Sequence, residues 1–350
     1  MQAIRFAGPF GFLLSIPVLY AVSPAATLVA PLSLLLVLFA MEQIGRRREP
    51  AGMDSGASRL LPMLYIPLQL TVTVWTAWVT ARSPSSVATF AGLAISVGVC
   101  AGVFGMLAAH ELIHSRSGRE RRLGLLMLFG MSYPHFRIAH VHGHHRHAVT
   151  QRDAATARLG ESFYRFLLRT IPAQLFDAWR FECQRNGRKR ATLLHNRVFQ
   201  GGIGLAGIYG ALLFWTPRAA AFLAAESAMA VVVLELFNYI AHYGLVRQAR
   251  DGALERLGPH HSWNSSGLGN LLIFNMGYHS HHHSAPAKAF GGLGRAAGAR
   301  ELPFGYAGSI MLALAPPLWR AVMDHRIAPP EAETRKSAYN TDRGPAAVSP

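Results

Sequence analysis

The chain has 350 residues, of which 51% are hydrophobic and only 15% charged, with a mean hydropathy of +0.22 and a formal net charge of +16. Soluble domains average about 25% charged residues, so this composition excludes an ordinary water-soluble domain. Positive charge of this size also serves nucleic-acid binding, but no recognition motif accompanies it. The two cysteines, Cys100 and Cys183, form no C-x-x-C pair. They exclude a disulfide framework and a thiolate iron–sulfur or structural zinc site, so electrons for any redox chemistry must come from another protein.

In chain order, two apolar segments near 8–22 and 25–43 predict a helical hairpin of two short or tilted spans, since one span takes about 20 residues. Continued hydrophobicity argues against a cleaved signal peptide. Arg46, Arg47, Arg48 and Arg59 form the strongest short basic loop, which the positive-inside rule places in the cytoplasm. Spans near 60–81 and 87–109 follow, joined by a tight turn at Arg82-Ser83-Pro84, and return the chain to the same face at His110. Leu123 to Phe129 is apolar but too short to cross, so it is expected to dip into the interface or pack beneath the bundle.

Residues 150–197 read as an amphipathic membrane-surface helix with a basic run from Arg185 to Arg190, suited to lipid headgroups or a docking partner. Spans near 198–215 and 219–241 deliver His242 to the face that holds His110. Tyr306 to Val322 suits a packed or interfacial helix, with Pro316-Pro317 arguing against a clean span. Residues 329–350 are polar and Pro-rich, a disordered tail behind one membrane domain over 1–328.

Histidine carries the chemistry. Eight of the 17 histidines fall within the 38 positions from His110 to His147. H-E-L-I-H places His110 and His114 four apart, on one face of the helix leaving the fourth span. His140, His144 and His145 form a middle group, and His279, His282 and His283 a last one with helical spacing. Asn238 and His242 share the four-residue spacing at the end of the sixth span. H-E-x-x-H alone is equally a zinc-protease signature, with Glu111 as base. A zinc site uses about four ligands, however, and nine candidates support two metals. Imidazole suits iron, and zinc lacks redox chemistry, so two irons are expected; manganese and copper accept the same donors.

These motifs resemble the membrane-bound histidine-rich di-iron superfamily of fatty acid desaturases and alkane hydroxylases, and more closely its alkane and xylene monooxygenase branch. The likeness rests on H-E-L-I-H-S at 110–115, H-V-H-G-H-H-R-H-A-V-T at 140–150, D-A-A-T-A-R-L-G-E-S at 153–162, N-Y-I-A-H-Y-G-L at 238–245, H-S-W-N at 261–264 and H-S-H-H-H-S-A-P at 279–286. It spans roughly residues 60–290.

The resemblance implies an all-α integral membrane protein of about six transmembrane helices with a cytoplasmic histidine-rich di-iron site. Its metal ligands would be His110, His114, His140, His144, His145, His242, His279, His282 and His283. Glu111 would orient a histidine, and Asn238 is a further candidate for the catalytic site. His142, His147, His260, His261 and His281 fall outside the ligand pattern and are expected to pack loops or support ligands. Trp75 and Trp78 are candidates for a substrate channel.

The implied reaction is dioxygen-dependent hydroxylation of an unactivated C–H bond of an alkyl chain or alkyl-aromatic. It would run in the inner membrane of a bacterium, with electrons from an acidic rubredoxin- or ferredoxin-like protein and its reductase. Desaturation or oxidative decarboxylation of a fatty acid is the alternative outcome, followed by an intramembrane zinc protease and a non-enzymatic metal-binding or transport protein. The sequence departs from the alkane-hydroxylase pattern at Ala139 and Ala241, where Glu is usual, at Ser115 for Lys and at His281 for Asp. The chain is also shorter than is typical for those enzymes.

Overall fold

The computed structural model describes residues 3–44, 55–82, 86–186, 192–250 and 253–327. Four sequence readings lie outside these: the arginines at 46–48, the turn at 83–84, the basic run over 187–190 and the tail at 329–350. The described chain is almost wholly helical. Helix α1 spans Gly8–Val22, and a 3₁₀ turn at Pro24–Leu28 leads into α2, Val29–Gln43. Helix α3 is Ser55–Arg82, and α4, Val87–Cys100, runs through a π-helical turn at Ala101–Gly105 into α5, Met106–Ile113. Helices α11, Arg197–Trp215, and α12, Pro217–His242, form the last membrane hairpin.

Among the described residues five helical stretches are long and apolar enough to cross a membrane: Pro24–Gln43, Gly56–Arg82, Val87–Ile113, Arg197–Trp215 and Pro217–His242. The sixth expected span, α1, is helical and apolar but has 15 residues, fewer than the ~20 a crossing takes. Ser23 ends it in extended backbone just before Pro24, which fixes that limit.

Helix α4 and the π turn that continues it pack on α12 at Gly98 and Gly102. A Cβ on Gly98 would lie 2.7 Å from the Glu226 carbonyl oxygen, and one on Gly102 would lie 2.6 Å from that of Ala230. Small residues four apart let two membrane helices touch backbone to backbone, and this contact sets α5 and the end of α12 side by side.

The short apolar segment forms α6, Gly118–Gly130, which enters the bundle rather than lying beneath it. Its far end turns at Ser132, whose hydroxyl bonds Tyr209 in α11 and Ser227 in α12, each at 2.9 Å. Both partners lie midway along membrane helices, so α6 is re-entrant. Backbone that turns inside a membrane is tolerated where protein covers it, and the hydroxyl ties supply the polar partners. The chain climbs back through α7, Phe136–Ile138, a π-helical segment Ala139–His144 and α8, His145–His147.

Helix α9, Phe163–Asn186, buries Phe163 and Phe166 and turns the apolar Leu168 and Phe176 outward. The short α10, Thr192–His195, precedes α11. After α12 come two small ribbons, β1 (Ala249–Arg250) with β2 (Ala253–Leu254), and β3 (Trp263–Asn264) parallel to β4 (Arg300–Glu301). Helix α13, His279–Ser284, lies between the two strands of the second ribbon in the chain. The region around Pro316 is two short helices, α14 (Gly305–Ala313) and α15 (Pro316–Met323), in place of one span.

Glu42, at the end of α2, ties this C-terminal region to the bundle. Its buried carboxylate accepts from the Tyr306 and Ala307 N–H groups at 2.7 and 2.8 Å and from the Ser265 hydroxyl at 3.0 Å. The two amides belong to the first turn of α14, which has no donors' partners of its own. Gly305 has φ +67, and a Cβ there would lie 2.4 Å from the Glu42 carboxyl carbon, so the tie needs glycine. Glu42→Ala leaves three buried donors without an acceptor and is expected to lower stability by about 3 kcal/mol. Thermal unfolding of the purified protein in detergent checks this, and an unchanged midpoint would show that the tie is dispensable.

Candidate metal centre

Each histidine-bearing segment ends at the same pole of the bundle, and the side chains meet there in two groups. His110 and His114 from α5, His140 from the π segment, His145 from α8 and His282 from α13 form one group. His144, His242, His279 and His283 form the other. Within each, one ring nitrogen per residue lies within 4.8 Å of all the rest. All nine sequence candidates therefore come together. Adjacent residues separate: His144 and His145 join different groups, as do His282 and His283. The π turn carrying 139–144 and the short α13 direct neighbouring rings apart, and the groups sit side by side, with His145 and His283 ring centres 4.7 Å apart.

The hydrogen-bond chemistry tests whether a metal fits. The Nδ1–H of His144 donates to the Asp153 carboxylate at 2.8 Å, and that of His242 donates to the His261 carbonyl at 3.0 Å. Both rings therefore turn a bare Nε2 lone pair inward. His140 Nε2 meets His110 Nε2 at 2.8 Å and His145 Nε2 at 3.0 Å; His279 Nε2 meets His242 Nε2 at 3.2 Å and His283 Nε2 at 3.0 Å. His114 Nε2 is buried with no partner among the described residues.

Lone pairs crowded in this way repel one another unless a cation sits among them. Two imidazole nitrogens about 2.1 Å from one ion at a right angle lie about 3.0 Å apart, the spacing seen here. Burial pushes the His114 imidazole down to about 4 and holds His140, His145, His279, His282 and His283 below the usual histidine range. The rings are thus neutral at neutral pH, the form that binds metal. The residues fit.

The supporting cast was only partly foreseen. Asp153 sits in a stretch whose roles sequence left unassigned; it also accepts from the Thr156 hydroxyl and the Ala155 N–H. Its D-x-x-T turn nine residues after His144 is the available signal. Burial alone would raise its carboxyl, but His144 and the Thr156 hydrogen bond hold it below the ordinary value.

Among the described residues the Glu111 carboxylate is engaged by the Phe290 N–H at 3.2 Å rather than by an imidazole. It lines a polar notch with Arg59, His114, Glu120 and Lys288. Of the five histidines placed outside the ligand pattern, His261 supports a ligand through its carbonyl, and its ring bonds Glu255 at 3.0 Å. With His260 and Glu255 it makes a third, smaller cluster. His142 stacks on Phe181, and His281 holds the Gly294 N–H.

On the membrane side of the histidines lies a pocket walled by Met106, Leu107, Phe136, Leu234, Phe237, Met276 and Tyr306. His110, His140, His279, Asn238 and Ala241 complete it, so Asn238 stands at the site as expected. Trp75 and Trp78 do not line it; Trp75 packs edge-on against Tyr20, and Trp78 faces outward under Arg82. Ala139 packs away from the centre, against Ala178 and Val198, whereas Ala241 is a pocket wall.

The sequence profile of the fatty acid desaturase family matches residues 84–311. Alkane 1-monooxygenase 2 of Pseudomonas aeruginosa is 38% identical over 278 residues, covering 78% of this chain and 74% of the relative. An alkane 1-monooxygenase of Ectopseudomonas oleovorans is 36% identical over 77% of this chain and 68% of its own. The hydroxylase component of xylene/toluene monooxygenase from Pseudomonas putida is 29% identical over 73% and 71%.

Asp153→Ala is expected to weaken metal binding about 10–100-fold, because His144 loses the partner that fixes its tautomer. Competition against a chelator measures this. Because the Asp153 carboxyl is held low, the support is complete at neutral pH and is lost only as pH falls through that lowered value.

Proposed function

The chain belongs to the fatty acid desaturase family, and on that premise we propose that it is a membrane-bound di-iron monooxygenase that hydroxylates an unactivated C–H bond of an alkyl chain or alkyl-aromatic. The observation that carries this is the apolar pocket opening onto both histidine groups. The alkane and xylene monooxygenase relatives support the same reading. Overall, R–H, dioxygen, two electrons and two protons give R–OH and water.

His110, His114, His140, His145 and His282 would hold one iron, and His144, His242, His279 and His283 the other. Two ferrous ions supply the reductive activation of dioxygen that side chains cannot perform. Asp153 and the His261 carbonyl keep the inner nitrogens of His144 and His242 bare. Phe136, Leu234, Phe237 and Met276 hold the alkyl chain against the centre and exclude water, which favours reaction at the one carbon presented. A zinc protease built on H-E-L-I-H would leave most of the converging imidazoles idle.

The electron donor we assign is an acidic rubredoxin- or ferredoxin-like protein, fed by its reductase. Its docking face would be the basic rim around the notch at His114, which Arg59 and Lys288 line and which the exposed Arg116, Arg119 and Arg122 follow in the chain. Opposite charge speeds such encounters. The same arginines, which follow α5 directly, support a cytoplasmic histidine pole in a bacterial inner membrane by the positive-inside rule.

The family's desaturase members make alkene formation the second outcome to be tested. The purified protein, supplied with ferrous iron, dioxygen, a reductase and a redox protein, is expected to bind about two irons per chain and convert n-octane to alcohol. Alkene product would transfer it to desaturation; one zinc and no oxygen uptake would overturn the reading. His282→Ala is expected to reduce turnover by about 100-fold or more with loss of iron.

A further inference from the structure

Glu235 lies within α12, fully buried, in a stretch that crosses the membrane. Among the described residues no cation meets it; its partners are three neutral groups. Gln174 Nε2 lies 2.8 Å and the Tyr133 hydroxyl 3.4 Å from Oε1, and Asn238 Nδ2 lies 3.1 Å from Oε2. The direction of the first bond is settled by its neighbours. The Thr170 hydroxyl spends its single proton on the Ala154 carbonyl, so its oxygen accepts from Gln174 Nε2, and Gln174 presents its NH₂ to Glu235 as well. Oε1 thus takes two donors, and Oε2 remains for Asn238.

Asn238 stands one turn further along α12 and forms part of the pocket wall beside His110, His140 and His279. An amide that turns its NH₂ to a carboxylate turns its carbonyl oxygen the other way. That oxygen has no protein partner among the described residues.

We propose that Glu235 is a positioning residue: it locks Asn238 with its carbonyl oxygen toward the pocket, so that an otherwise apolar chamber holds one acceptor and binds alkyl compounds that carry a hydroxyl donor. The inference rests on the reading of this pocket as the alkyl site. An alcohol formed there is retained through its own proton, while a compound of the same size bearing only an acceptor is disfavoured. Neither an alkane nor an ether can answer the Asn238 oxygen. Glu235→Gln reverses the arrangement. The new amide keeps its oxygen between Gln174 and Tyr133, turns its NH₂ to Asn238, and so requires Asn238 to present its carbonyl to position 235 and its NH₂ to the pocket.

The test uses 1-octanol and heptyl methyl ether, isomers that differ in owning a hydroxyl proton. Radiolabelled forms of each, and of n-octane, are partitioned between zinc-loaded, full-length protein in phosphatidylcholine nanodiscs and empty nanodiscs. Zinc loading prevents turnover. The wild type is expected to favour the alcohol over the ether about five-fold, the effect of one neutral hydrogen bond. Glu235→Gln is expected to shift the ratio toward the ether, and Asn238→Leu to abolish it with octane retained.

Equal ratios in wild type and Glu235→Gln, with matching melting curves and zinc content, would overturn the role of Glu235 and leave the alkyl site intact. That result would also follow if the Glu235 carboxyl itself donated to Asn238. Failure of the wild type to retain any of the three ligands would overturn the alkyl site, and this proposal with it.

Discussion

Nine imidazoles, six of them buried and three half-buried, with lone pairs aimed at one another form an arrangement that apolar packing cannot sustain by itself. Each ring loses water on burial, and neutral nitrogens at 2.8–3.2 Å satisfy one another only where one carries the proton. A pair of cations would resolve the conflict, and the surrounding architecture brings the rings together in two groups that could hold them. The Gly98–Gly102 contact brings α4 against α12, which sets His110 and His114 opposite His242. The re-entrant α6 lets the chain climb back with His140, His144 and His145. Glu42 anchors the region that carries α13.

Much of this was legible in the sequence. Runs of apolar residues located every membrane helix, because length and hydropathy are local properties. The histidines were legible because spacings of three and four read directly as a helical face. What was not legible depended on contacts between distant segments. Nothing local divides His144 from His145, or His282 from His283, between two groups; the division follows from a π segment and a six-residue helix whose register tertiary packing decides. The depth of α6 was hidden because its polar partners, Tyr209 and Ser227, lie 77 and 95 residues away.

The departures at Ala139 and Ala241 look alike in sequence and differ in the fold. Ala139 lies in a small apolar cluster with Ile138, Ala178 and Val198, where a carboxylate would meet apolar side chains. Ala241 lies on the pocket wall beside His242, where a small apolar residue widens the chamber and removes charge from it. The first change therefore belongs to the packing of α9 on the π segment. The second belongs to the shape and polarity of the pocket proposed to receive the alkyl chain.

Glu42, Glu226 and Glu235 are fully buried carboxyl groups of the membrane helices, and their placement explains how the pocket stays apolar so close to a polar centre. Glu42 is consumed by α14 and Ser265, and Glu235 by Gln174, Tyr133 and Asn238. Glu226 has only the neighbouring Ser227 hydroxyl at 3.4 Å on one oxygen and no hydrogen-bond partner among the described residues on the other. Its position far down α12 from His242 keeps that unmet acceptor away from the chamber. Polar groups in hydrocarbon are costly unless partnered. In this bundle the partners come from segments that return into the membrane or close over its pole, so the same bonds that satisfy the carboxylates also fix the walls around the histidines. The apolar chamber is thereby a consequence of where the polar ties are made: they draw donors out to its flanks and leave Asn238 as the polar side chain, apart from the histidines and the Tyr306 hydroxyl, that borders the space.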